Sequence, residues 1–152
     1  MTKTVIAIYG VANHGKTTTI RVVAEEIFKR HQCVHEKDSP DTKSIEEVYA
    51  LFRIKNVAIG IESTGDPKSR LFESLPKFVR EKCDIIITAC RTSGPTRDEV
   101  DALEKNHGYR IIWIKDPLYE EGNQNIRISL SNCHYFANYI LDMFEDMLIG
   151  KL

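Results

Sequence analysis

An apolar run, Thr4-Val5-Ile6-Ala7-Ile8-Tyr9, leads straight into Gly10-Val11-Ala12-Asn13-His14-Gly15-Lys16-Thr17, and helical periodicity follows at once. No other feature restricts the fold of this 152-residue chain as strongly. On average residue frequencies the spacing G-x-x-x-x-G-K-[ST] arises by chance at roughly one site in 30,000. Strand, glycine loop and helix in that order is the setting in which the spacing carries meaning. The plain alternative is a glycine-containing turn before a helix.

The alternation of strand and helix continues. Ile20, Val23, Ala24, Ile27 and Phe28 give Thr18 to Arg30 an apolar helical stripe. His31 to Ser44 is polar and contains the turn signature Asp38-Ser39-Pro40-Asp41. Glu47 to Ile54 and Val57 to Ile61 flank Lys55-Asn56 as a β-hairpin, with a helix over Ile45 to Phe52 as the competing assignment. Leu71, Leu75, Phe78 and Val79 share a helical face, and Asp84 to Ala89 is a strand apolar enough to be covered on both sides. Thr96 and Glu99 form a capping box for a helix holding Val100 and Leu103, which Gly108 stops. Arg110 to Ile114 is a further strand, closed by Asp116-Pro117. The polar stretch Leu118 to Leu130 reads as a mobile loop. A last helix, opened by Ser131 or Asn132, points Phe136, Tyr139, Ile140, Met143, Phe144 and Met147 inward.

This order predicts an α/β fold with three layers, α/β/α, around a mostly parallel sheet, with one antiparallel edge hairpin. The length suits a single domain spanning residues 1–152. A net charge of -1 gives no signal for a nucleic-acid or membrane partner. The chain holds no run of 18 apolar residues, and its first residues enter a core strand rather than a signal peptide. Cys33, Cys83, Cys90 and Cys133 lack C-x-x-C spacing, so reduced thiols and a cytoplasmic protein are expected.

In such sheets ligands bind at the carboxyl ends of the strands. That rule gathers Glu62 to Lys68, Cys90 to Arg97 and Lys115 to Asn125 on the same rim as the glycine loop. The chemistry of the loop explains its spacing. Gly10 and Gly15 permit backbone angles that turn successive N–H groups around a polyphosphate. The following helix adds its unpaired N–H groups and the positive end of its dipole. Lys16 sets a compact cation against the β- and γ-phosphates, and the Thr17 hydroxyl can ligate Mg²⁺. Asn13 and His14 lie in the variable part of the loop, where His14 either touches a phosphate or is a tolerated surface residue.

On these residues the chain resembles the P-loop NTPase superfamily. The resemblance implies P-loop NTPase topology, a bound nucleoside triphosphate with Mg²⁺, and a place for Thr18 near the α-phosphate. Glu62-Ser63-Thr64-Gly65 resembles the D-x-x-G element of regulatory GTPases, with Glu in place of Asp, and the E-x-x-G element of some ATP-dependent ligases. In those proteins the acid reaches the metal through water and the glycine N–H senses the γ-phosphate. Glu62 is therefore the first candidate for the catalytic and metal-holding acid, with Asp66 as its competitor. Plain turn chemistry explains Ser63 to Pro67 equally simply. Arg91 and Arg97 stand where a guanidinium would neutralise transition-state charge or hold an acidic substrate. Asp38 and Asp41 lie where related proteins carry substrate-binding or switch residues, while Lys68 and Arg70 read as solvated charges.

The function expected is that of a Mg²⁺-dependent ATPase. A small-molecule or nucleotide kinase with an unknown acceptor is the alternative, and a non-catalytic nucleotide-binding module a further one. No N-K-x-D element occurs, which argues against a GTPase without excluding GTP. Resembling domains without an arginine of their own borrow one across a homodimer, so a second copy of the chain is one expected partner, alongside a protein whose binding follows the nucleotide cycle.

Overall fold

A computed structural model describes residues 1–10, 16–31, 33–35, 47–116 and 130–152. Its strands are β1 (Thr4–Tyr9), β2 (Val34–His35), β3 (Tyr49–Ile54), β4 (Val57–Glu62), β5 (Ile85–Cys90) and β6 (Arg110–Lys115). The helices are α1 (Lys16–Arg30), α2 (Leu71–Arg80), α3 (Pro95–His107) and α4 (Leu130–Leu148). The strands form one sheet in the order β2-β3-β4-β5-β1-β6. β4, β5, β1 and β6 run parallel, whereas β3 is antiparallel to both β4 and β2. The class is thus α/β with a mostly parallel sheet, as the alternation predicts.

Period-two alternation divides the core. Ile6 and Ile8 of β1, Ile59 and Ile61 of β4, and Ile85 and Ile87 of β5 face α1 and α4, whose Ile20, Val23, Ile27, Ile140 and Phe144 are buried against them. Val5, Ala7 and Ile86 point to the opposite face, onto Leu71, Leu75 and Phe78 of α2 and Val100 and Leu103 of α3. Strands with both faces covered must be apolar throughout, which is why β1 and β5 stand out so clearly in the sequence.

The two readings of residues 45–52 resolve in favour of the hairpin. Tyr49 pairs with Glu62 and Ile54 with Val57, across a turn in which Lys55 takes φ 54°. Four other expectations need correcting. Val34–His35 is a strand where a polar loop was expected, too short at two residues to leave a periodic signal. Thr96 does not cap α3: Gly94, at φ 94°, is the N-cap, and Pro95 occupies the first turn, where its missing N–H costs nothing. The Thr96 hydroxyl instead accepts the Arg91 N–H at 3.0 Å. Tyr139 is 57 % exposed, because the buried stripe of α4 runs through Phe136, Ala137, Ile140, Leu141, Phe144 and Met147 and leaves Tyr135 and Tyr139 outside it. α4 begins at Leu130, ahead of the expected Ser131 or Asn132. The Asp38–Asp41 turn and the loop expected from Leu118 lie outside the described residues, Leu130 excepted. Among the described residues no helix is long and apolar enough to cross a membrane.

Candidate functional site

The connections from neighbouring strands part at the carboxyl rim. β1 leads towards α1 on one face, while β5 leads to α3 on the other. A crevice at such a reversal is where open α/β sheets take their ligands. Here the reversal falls between β1 and β5, beside Gly10, whose N–H donates to the Cys90 carbonyl at 3.2 Å.

Gly10 closes β1, and α1 starts at Lys16. The intervening positions, with the expected ligands Asn13, His14 and Gly15, are outside the described residues. Lys16 is buried, and its ammonium donates to the Gly10 carbonyl at 2.8 Å, which turns the side chain back towards the end of β1. Burial pushes its pKa below the ordinary lysine value; Asp116 opposes that shift, Arg91 adds to it, and Asp66 opposes it again. One cation thus feels charges from three separate rim segments. The next residue, Thr17, donates its hydroxyl to the Ser63 carbonyl at 3.4 Å, tying the start of α1 to the end of β4. Thr18 is half-buried in the same turn.

Beyond β4 the chain is held in place twice. Ser63 donates its N–H to Val48 O at 2.9 Å and accepts the Val48 N–H on its hydroxyl at 2.7 Å. Gly65 then passes so close over β5 that a Cβ there would lie 2.7 Å from the Ala89 carbonyl carbon and 2.9 Å from Cys90 N. Only glycine fits beneath that backbone. The close passage delivers Asp66 to Arg91, which donates to Oδ1 from Nε and from Nη2, each at 2.9 Å.

Glu62 is placed elsewhere. Its carboxylate is fully buried on the α2 side of the sheet and accepts five hydrogen bonds. Arg70 grips it with both prongs, Nε to Oε2 and Nη2 to Oε1, each at 2.8 Å. The Thr64 N–H and hydroxyl donate to Oε1 at 3.0 and 2.8 Å, and the Ser74 hydroxyl of α2 donates to Oε2. Arg70 is therefore no loose surface charge. Its pKa is raised, first by the hydrogen bonds to Glu62, and its guanidinium lies 5.4 Å from the Tyr49 ring.

Asp116 is the residue that sequence reasoning missed. Its N–H donates to Tyr9 O at 2.8 Å, continuing the β1–β6 ladder to the level of Gly10. Its carboxylate is buried, with Oδ2 3.9 Å from where a Gly10 Cβ would sit and Lys16 Nζ 4.0 Å from the same point. The signal was present: an acid at the tip of an apolar strand, the same logic that singled out Glu62. The sequence places the whole segment Lys115 to Asn125 on the rim, but within it Asp116-Pro117 reads as a strand stop and Asp116 is not singled out.

Cys90 lies beneath the rim, and burial pushes its thiol up to about 11, so it stays protonated at neutral pH. Among the described residues no three histidine, cysteine or carboxylate side chains cluster to hold a metal. No protein-family model, no curated protein and no solved structure matches this chain.

Proposed function

We propose that this chain is a P-loop nucleoside-triphosphate hydrolase with P-loop NTPase topology, using ATP and Mg²⁺, and that its crevice lies between the ends of β1 and β5. One observation carries the proposal: Lys16, already buried at the start of α1 and folded onto Gly10 O, stands within the fields of Asp116, Arg91 and Asp66. There the ammonium has the Gly10 carbonyl and the attraction of two carboxylates to set against its burial and the repulsion of Arg91. A lysine that exchanges the Gly10 carbonyl for phosphate oxygens gains charge-assisted hydrogen bonds in a dry site.

Gly10 and the loop after it would surround the phosphates, with Thr18 on the α-phosphate side. A hard divalent cation takes oxygen ligands and keeps much of its water. The Thr17 hydroxyl and the Ser63 carbonyl, 3.4 Å apart, are oxygens of that kind, as is the Asp66 carboxylate three residues further on, and these would hold Mg²⁺ directly or through water. When bound, the ion neutralises charge between the β- and γ-phosphates. Lys16 stabilises charge that builds on the leaving oxygens. Asp66 orients the attacking water, and Arg91, held by Asp66, sits ready to neutralise the transferring group. Glu62 fixes the segment that carries Asp66, which gives Asp66 the working role and Glu62 the supporting one.

The test incubates the protein with Mg²⁺ and each labelled nucleoside triphosphate, and separates free phosphate from phosphorylated products. Lys16→Ala abolishes binding or turnover, while Asp66→Asn slows turnover with affinity largely retained. If Lys16→Ala binds and hydrolyses ATP like the parent, the assignment is wrong.

A further inference from the structure

Most arginines placed by this fold close on acceptors of the protein itself. Arg21 meets Glu25, Arg30 meets Glu26 and Glu145, Arg70 meets Glu62, and Arg91 meets Asp66. Arg110 donates to Thr4 Oγ1 and to the Leu152 carbonyl. Arg97 differs. Its guanidinium lies 3.6 Å from the Trp113 ring centroid and 5.0 Å from that of Tyr9, two rings that themselves meet edge to face at 6.1 Å. Its hydrogen bond is a long one, 3.5 Å to the Thr92 carbonyl. Among the described residues, no carboxylate forms an ion pair with it.

Stacking engages the flat face of a guanidinium and leaves its fork of N–H donors at the edge. The fork matches a carboxylate or phosphate with two parallel bonds. The aromatic platform also fixes the long side chain in advance, which lowers the ordering cost of binding. Its place in the fold matters as much. Tyr9 immediately precedes Gly10, and Trp113 lies on β6, the neighbour of β1. Both rings pack on the α2–α3 side of the sheet, whereas Lys16 opens the helix on the other side. Arg97 therefore stands at the same rim as Gly10, on the opposite face of the sheet from the helix that Lys16 opens.

We propose that Arg97, braced by Trp113 and Tyr9, binds the anionic group of a second small ligand, a carboxylate or a phosphate, beside the triphosphate site. The neighbouring triphosphate rests on the proposed function; the anion site itself does not.

Trp113 is the only tryptophan, so its fluorescence reports from the site alone. The experiment titrates inorganic phosphate, and separately succinate, into Lys16→Ala, in which the glycine-loop cation is gone, and follows Trp113. Calorimetry with MgATP on the parent protein is run independently. A saturating response to at least one anion is expected, and the one that saturates names the ligand class. Adding Arg97→Gln weakens that response by about tenfold or more, and Arg97→Lys, which keeps charge without the fork, weakens it less. Thermal unfolding of each variant verifies that it is folded. A response that is absent or rises linearly, or a midpoint unmoved by Arg97→Gln, overturns the proposal. If the anion response persists but MgATP does not bind, the nucleotide reading fails and the anion site stands.

Discussion

Glu62→Gln separates a supporting role for Glu62 from a catalytic one. The amide keeps the shape but replaces one acceptor oxygen with a donor. At the Oε1 position that donor would face Thr64 N, Thr64 Oγ1 and Arg70 Nη2, three donors at 2.8 to 3.0 Å. At the Oε2 position it would face Arg70 Nε and the Ser74 hydroxyl, and a hydroxyl can rotate to accept. The glutamine therefore seats its nitrogen at Oε2. It keeps the Thr64 bonds and one Arg70 bond, and loses the other Arg70 bond together with the charge. Breaking a buried pair costs about 3–5 kcal/mol when the surviving charge is trapped. The Arg70 side chain is 37 % exposed, so water recovers part of that cost, and a loss of about 2–3 kcal/mol is expected. In urea the midpoint falls while the slope stays constant, and the thermal midpoint drops by about 5–10 °C. In the Glu62→Gln background, Arg70→Met costs far less than in the parent, because the interaction is already gone. Turnover, measured below the lowered melting temperature, falls only modestly, through a looser Asp66. A variant as stable as the parent yet slower by orders of magnitude would refute this account and make Glu62 the working acid.

Gly65→Ala forces a methyl group onto the backbone of Ala89 and Cys90, neither of which is a flexible side-chain end. It should cost about 2 kcal/mol or more and lower turnover by displacing Asp66, read from urea unfolding and phosphate release. Tyr109 is buried, donates to Cys83 O at 2.6 Å, and has its phenol pushed up to about 12. The unfolded chain releases that proton near 10, so the contribution of Tyr109 is intact below pH 10 and drains away between 10 and about 12. Tyr109→Phe is accordingly less stable than the parent at pH 8, with the gap narrowing above pH 10 in denaturation curves.

How legible each part was depended on how far its cause lay from it in the chain. β1, β5 and the hairpin were legible because apolar runs bounded by Gly10, Lys55-Asn56 and Asp84 carry their own limits. Thr96 misled because local capping chemistry was weighed without the Gly94-Pro95 pair that takes the cap first. Tyr139 misled because aromatic character was read as burial, when the stripe through Phe136, Ile140 and Phe144 already filled the contact with α1. For Glu62 the sequence argument was sound but incomplete. A buried carboxylate at a strand end must be compensated, and the rim was the only compensation considered. Arg70 and Ser74, eight and twelve residues on, were the other. Such a partner becomes visible only once β4 and α2 are packed together.

The coupling of Asp116 to Lys16 predicts a distinctive pH dependence for nucleotide binding. Burial depresses the pKa of Lys16, so the empty protein releases that proton before an ordinary lysine would. Polyphosphate binding requires the ammonium, so MgATP affinity should fall along an alkaline limb lying below the ordinary lysine value of 10.5. Asp116 is the largest influence opposing that depression. Asp116→Asn removes it, and the pKa of Lys16 drops further, which carries the limb to lower pH. The same change removes a negative charge that repels the polyphosphate, so on the acidic side of both limbs, where Lys16 carries its proton in parent and variant alike, affinity rises. Tighter binding on the acidic side of the limb combined with an earlier alkaline loss has opposite signs in two pH ranges, a combination that simple destabilisation cannot produce. Calorimetric titrations of parent and variant from pH 7 to 10 decide the matter. Superimposable limbs would mean that Asp116 does not govern Lys16.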